Sequence, residues 1–257
     1  SADRQGRSFD MPGQLLGIVS LTVLTLAAIE SSHLPPLWMA LMAIAGALLL
    51  LLFIIVEKRL EQKALVPISM FSGRQFRGAM AGTAAMTFGM YGTLFLFPLA
   101  SLGLGRLASV EAGLSLLPMA LSFIAISPFS GSISEHLGKN RTISAGLALM
   151  GLGNLLLGSS FLADWLIAEE IGLLLTGIGM GMATGPLTAV AVSTVTADRA
   201  GTASALINVA RMVGATTGVA LLGAIFAFLG EAEAAFIVAM TAGGSALSHS
   251  AILARSL

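Results

Sequence analysis

Leu37-Trp38-Met39-Ala40-Leu41-Met42-Ala43-Ile44-Ala45-Gly46-Ala47-Leu48-Leu49-Leu50-Leu51-Leu52-Phe53-Ile54-Ile55-Val56 runs twenty residues without a charge and is closed at once by Glu57-Lys58-Arg59. A helix of about 20 residues rises about 30 Å, the thickness of a bilayer's hydrocarbon core. The stretch therefore reads as a membrane-spanning helix with a charged exit. Its surroundings repeat the pattern. Apolar runs at 13–29, 76–104, 112–134, 142–161, 171–195, 203–229 and 234–253 bring the expected number of spans to about eight. The last is the weakest, because Ser245, Ser248, His249 and Ser250 make its second half polar. The fold class expected is all-α, a polytopic transmembrane helical bundle.

Composition agrees. The chain is 56% hydrophobic and 10% charged, with a mean hydropathy of +0.93, whereas a soluble domain carries about 25% charged residues. Its formal net charge is zero, which gives no reason to expect nucleic acid or an acidic partner. With no cysteine there are no disulfides and no thiolate metal sites. The polar first residues lack the form of a signal peptide and there is no initiating methionine, so the chain is expected to begin inside a longer protein.

The connections fall into two alternating sets, as they must on the two sides of a membrane. One set, 57–75, 131–141 and 196–202, carries Lys58, Arg59, Lys63, Arg74, Lys139, Arg141 and Arg199, and Arg4 and Arg7 precede the first span on the same side. The other, 30–36, 105–111, 162–170 and 230–233, has Arg106 as its one cation beside Glu30, Glu111, Asp164, Glu169, Glu170, Glu231 and Glu233. Cationic loops stay cytoplasmic. The expectation is a multi-pass protein of the plasma (cytoplasmic) membrane with both termini in the cytoplasm.

Within the spans, four prolines, Pro98, Pro118, Pro128 and Pro186, each remove a backbone donor and are expected to bend their helices. Gly177, Gly181 and Gly185 recur every four residues with Gly179 among them, and Gly214 and Gly218 repeat the device, so close helix packing is expected there. Gly177-Ile178-Gly179-Met180-Gly181 follows no strand and is not a nucleotide loop. Arg211 is the costliest residue in the chain. A cation at membrane depth belongs at a bundle interior or a polar cavity, or snorkels to headgroups, and Asn208 lies one turn before it. Tyr91, Phe95 and Met119 belong to aromatic and methionine-rich faces that accept varied apolar ligands, although such faces also serve packing and lipid contact. Glu111, Glu169 and Glu170 are outer-surface carboxylates able to carry a proton or simply to be solvated. No hydrolase, zinc-protease or nucleotide motif occurs, and His33, His136 and His249 are scattered, so neither enzyme chemistry nor a metal site is expected.

Gly131-Ser132-Ile133-Ser134-Glu135-His136-Leu137-Gly138-Lys139-Asn140-Arg141 resembles the cytoplasmic loop signature of the major facilitator superfamily, with Gly131, Glu135, Gly138, Lys139 and Arg141 on the pattern and Glu135 in place of the usual Asp. Arg199-Ala200-Gly201-Thr202-Ala203-Ser204, then Asn208 and Arg211, then Gly214 and Gly218, resembles the fourteen-helix drug/proton antiporter branch, with Met212 where Gln is usual. Ala112 to Pro118 also resembles that branch, and 99–109 departs from it. The resemblance implies a domain plan: a cytoplasmic segment 1–12, two linker helices in 13–56, a cytoplasmic connection 57–75, and a six-helix carboxyl-terminal half-fold over 76–257. It implies a missing amino-terminal six-helix half as partner, a small-molecule substrate, the lipid bilayer, a proton gradient as driving force, and no cofactor. The spans at 76–104, 112–134 and 171–195 would line the cavity and 131–141 would gate it. The function expected is proton-coupled efflux of small drug-like or metabolite compounds as part of a larger transporter. The alternative is a truncated or split-gene membrane module without transport of its own.

Overall fold

The computed structural model describes residues 15–20, 22–23, 26, 35–60, 68–163, 165–229 and 232–255. Two compact units make up the chain, Ser1–Ser72 and Gly73–Leu257. In the first, α1 (Pro36–Leu60) carries the uncharged run 37–56 and continues one turn past it. Residues 15–20 are also helical, and a 3-10 turn covers Ile68–Ser72. The segment 1–12, much of the expected span 13–29, the connection 30–34 and residues 61–67 lie outside the described residues.

The second unit is built from helices joined by short turns, with no strand among its described residues: α2 (Arg74–Gly103), α3 (Ser109–Leu114), α4 (Leu117–Ile126), α5 (Ser130–Leu137), α6 (Lys139–Ala163), α7 (Leu166–Ser193), α8 (Ala200–Leu229) and α9 (Ala232–Arg255). Among the described residues five stretches are long and apolar enough to cross a membrane: Arg74–Gly103, Val110–Leu137, Lys139–Ser160, Leu166–Ser193 and Ala197–Phe226. The helix α9 runs unbroken for 24 residues. Its late serines are accommodated locally, Ser248 Oγ donating to Gly244 O and Ser250 Oγ to Ala246 O. The same back-bonding hides hydroxyls throughout the bundle, as at Thr87, Ser101 and Ser160. This is how polar side chains lie inside apolar helices.

Three expectations are corrected. The expected span 112–134 is not one bent helix. Pro118 stands in the first turn of α4 and Pro128 in a 3-10 turn, Ser127–Phe129, that divides α4 from α5. A proline at a helix start loses no hydrogen bond that was there to lose, so these two restart the chain rather than kink it. Pro98 and Pro186 do sit inside their helices. The expected connection 131–141 is almost wholly helical: α5 runs through Leu137, α6 starts at Lys139, and Gly138 alone stands between them. Likewise α8 begins at Ala200, inside the expected connection 196–202.

In the second unit α7 is the hub, packed against α2, α4, α5, α6 and α8, while α9 lies on α6, α2 and α8. One core unites them. Leu96, Phe97 and Ala100 of α2 meet Met119, Leu157, Leu173, Leu222 and Met240 from α4, α6, α7, α8 and α9. Lipid tails are as apolar as leucine, so tight approach replaces the hydrophobic effect between membrane helices. The α6–α7 seam shows it, since a Cβ on Gly146 would stand 2.6 Å from Gly179 O, and one on Gly153 2.6 Å from Gly172 O.

Candidate functional site

Arg211 is about 16 Å of helix rise into α8. Its side chain crosses to α7, where Nη2 donates to Thr188 Oγ1 at 3.2 Å. Thr188 in turn donates to Thr184 O at 3.1 Å. The Nε of Arg211 is buried and has no acceptor among the described residues. The glycines one and two turns further on explain why α8 lies so near α2. A Cβ on Gly214 would collide with Ala84 O and Thr87 Oγ1, and one on Gly218 would come 2.5 Å from Phe88 O. The face of α8 beside Arg211 is open, with Asn208, Val209, Met212 and Val213 exposed. Asn208 thus lies on the open face while Arg211 turns inward.

The other sequence candidates do not converge on Arg211. Tyr91 and Phe95 are exposed on α2 and continue into a stripe with Leu99 and Leu102. Phe95 also reaches α8, its ring lying 3.2 Å from where a Cβ of Gly223 would be. Met119 is 3% exposed and belongs to the core, where it packs rather than faces an opening. Glu111 is a helix start, its Oε2 accepting from the Ala108 N–H at 3.0 Å. Gly177, Gly181 and Gly185 lie against α4 and α5: a Cβ on the first would meet Met119 and Ser122, on the second Ile126, on the third Ser130.

At the α5–α6 corner Gly138 has φ 87° and ψ 143°, a backbone shape open to glycine. The Gly138 N–H donates to Ser134 O at 3.0 Å and its carbonyl accepts from the Thr142 N–H at 3.1 Å. One residue therefore turns the chain. Gly131, Glu135, Lys139 and Arg141 are exposed around it. A cavity of about 490 Å³, lined by Leu137, Asn140, Arg141, Ser144 and Ala145, opens at this corner.

Two arrangements escaped the sequence reading. Asn154 of α6 is fully buried. Its Oδ1 accepts from Thr93 Oγ1 of α2 at 3.0 Å and lies 3.4 Å from Thr176 Oγ1 of α7, tying three helices together. Its Nδ2 has no partner among the described residues and faces Gly89 and Gly243. The signal was available: Asn154 is a lone amide in the middle of the 142–161 run, where a polar side chain needs partners. The second is an ion pair. Arg106 Nη1 donates to Glu169 Oε1 at 2.9 Å, fastening the turn after α2 to the first turn of α7. Both residues were read as outer-loop charges. Their pairing spans 63 positions and has no local sequence signal.

Residues 11–219 match the Major Facilitator Superfamily. The chain belongs to the Major Facilitator Superfamily. Within that superfamily it is 31% identical over 232 residues to "Multidrug resistance protein Stp" of Mycobacterium tuberculosis, which covers 88% of this chain and 42% of the relative. It is 28% identical over 243 residues to "Quinolone resistance protein NorB" of Staphylococcus aureus, covering 91% of this chain and 51% of the relative. It is 26% identical over 188 residues to "Multidrug resistance protein B homolog" of Mycobacterium tuberculosis, at 72% and 35%. The chain thus spans about half or less of the length of these relatives. As a helical bundle of this superfamily, it is a multi-pass membrane protein.

Proposed function

We propose that the chain forms the carboxyl-terminal portion of a proton-driven exporter of small drug-like compounds, with two linker helices in 13–56 and a six-helix domain in 76–257. The observation that carries this reading is the continuous relationship, over 88% of the chain, to a protein named for multidrug resistance. The geometry supports it in two ways. The bundle offers an uncovered aromatic stripe, Tyr91 and Phe95, on a helix whose other faces are packed into the core. It also holds a cation, Arg211, between α7 and α8. Family transporters rock two halves about a midplane site, so an amino-terminal half supplies the opposite wall. Membrane polarity follows the cationic connections, with both termini cytoplasmic. No cofactor takes part; the proton gradient drives exchange.

Everted membrane vesicles from cells carrying the complete reading frame test the reading. Acidifying their interior is expected to drive ethidium uptake, and a protonophore to abolish it. Uptake that ignores the protonophore would rule out proton coupling.

A further inference from the structure

The cavity at the α5–α6 corner, about 490 Å³, falls in the range of about 300–1,000 Å³ that small-molecule sites occupy. Four of its lining residues, Asn140, Arg141, Ser144 and Ala145, share one face of α6. Leu137 comes from the end of α5. The wall changes character along α6. Asn140 and Arg141 stand in the first turn, Ser144 and Ala145 one turn later. Ser144 Oγ donates to Arg141 O at 3.1 Å, so its proton is spent on the backbone. The donors facing the cavity are therefore the Arg141 guanidinium and the Asn140 amide. Arg141 keeps its charge at any physiological pH and forms no ion pair with a described carboxylate. Glu135 is exposed on α5 but off this wall, roughly 200° around the helix from Leu137. The corner opens the apolar run 142–161 on the side of the cationic connections. That is the headgroup level of the inner leaflet, where anionic lipids gather.

We propose that this cavity seats the headgroup of an anionic phospholipid of the inner leaflet. Arg141 takes the phosphate oxygens through its fork of N–H donors and Asn140 adds an amide donor. Leu137 and Ala145 meet the glycerol and the upper acyl carbons. Basic pockets beside membrane helices on this side of a bilayer hold such headgroups. A soluble phosphate offers the same anion, but the apolar members of the wall favour a lipid. The proposal goes beyond the export reading and takes from it only the sidedness of the corner.

The test follows binding of the first lipid to the complete protein in neutral detergent by native mass spectrometry. The probes are dioleoylphosphatidylglycerol and dioleoylphosphatidylcholine, which share a phosphodiester and differ in net charge. Wild type is expected to prefer the glycerol lipid about tenfold, and Arg141→Gln to lose that preference. Ala145→Leu, which fills the cavity and leaves its charge unchanged, is expected to weaken the glycerol lipid as well. Lys139→Gln removes the same charge roughly 200° around α6, off the wall, and is expected to stay within about twofold of wild type. The proposal is overturned if wild type shows no preference. It is overturned if Lys139→Gln loses as much as Arg141→Gln, since the attraction is then diffuse, or if Ala145→Leu binds as wild type does. Displacement of the lipid by excess glycerol 3-phosphate would assign the seat to a soluble phosphate and overturn the lipid. Labelling of Lys139→Cys from outside intact cells would overturn the inner-leaflet assignment. Lipid binding that depends on Arg141, found without gradient-driven uptake in everted vesicles, counts against export and leaves the lipid seat standing.

Discussion

Asn154 is the residue on which the bundle's interior turns. Thr93 and Thr176 each have one hydroxyl proton and share it between the Asn154 Oδ1 and a carbonyl of their own helix, Gly89 O and Gly172 O respectively, with Met240 Sδ a third acceptor for Thr93 at 4.0 Å. The network therefore survives loss of Asn154 with both threonines satisfied. What is lost is an interhelical bond and the volume of the amide. Asn154→Ala is expected to lower stability by about 1–3 kcal/mol, from an interhelical hydrogen bond worth roughly 0.6–2 kcal/mol and a small cavity. Thermal unfolding in detergent measures it, and an unchanged midpoint would remove Asn154 from the account. Gly138 is the other residue that decides local geometry. At φ 87° and ψ 143°, a positive-φ extended shape that only glycine adopts readily, Gly138→Ala is expected to cost about 1–3 kcal/mol. A Cβ there meets nothing within 4 Å, so the cost is one of backbone shape alone; a variant as stable as wild type would show that the corner accommodates a side chain. Residue-scale features were legible in proportion to their chemistry. Arg211 stood out in the sequence because a charge in an apolar run is rare. Which way it points, to Thr188 rather than toward Asn208's open face, depends on where α7 lies, and nothing near Arg211 encodes that.

At the scale of helices, small residues and one ion pair hold the arrangement. Gly218→Leu would drive a side chain into the backbone of α2 at Phe88. Backbone cannot move aside as a flexible side chain can, so α2 and α8 must part. The expected outcome is a sharp loss of monodisperse protein on size exclusion, and a wild-type elution profile would contradict the α2–α8 packing. The Arg106–Glu169 pair is half-buried, with side-chain exposures of 23% and 9%. Removing one partner leaves the other charge in a poor environment, an effect reduced here by solvent reaching Arg106. Arg106→Gln is expected to destabilise by about 1–2 kcal/mol, and adding Glu169→Gln to recover part of it. Additive effects in that double-mutant cycle would mean the two charges do not interact. Helices were the legible elements, since about 20 apolar residues admit few other forms in lipid. Their ends were less so. The 131–141 segment is polar and carries a loop-like motif, yet polar residues that sit beyond the apolar run of a helix can continue it. Here the helix stops at Gly138, whose φ of 87° breaks the helical path. Pro118 and Pro128 were visible as letters, but whether a proline bends a helix or begins one depends on the hydrogen bonds of the residues before it.

For the molecule as a whole, the number of crossings and their sense make one claim. The chain contains no cysteine, so single cysteines report sidedness cleanly. Lys139→Cys is expected to resist a membrane-impermeant maleimide in intact cells and to react in everted vesicles, and Val110→Cys to do the reverse; labelling of both from one side would contradict the alternation of loops. The superfamily was legible from the 131–141 and 199–218 motifs, because a one-residue corner and a glycine-spaced helix need particular residues at fixed spacing. The domain plan leans on the same resemblance. The central claim, that this bundle exports by working against a second half, is met most directly by one measurement: proton-gradient-driven ethidium uptake into everted vesicles containing the chain, with the amino-terminal half present and then absent. Protonophore-sensitive uptake is expected when both are present, and background uptake with the chain alone. Equal uptake in the two preparations, or none in either, would contradict it.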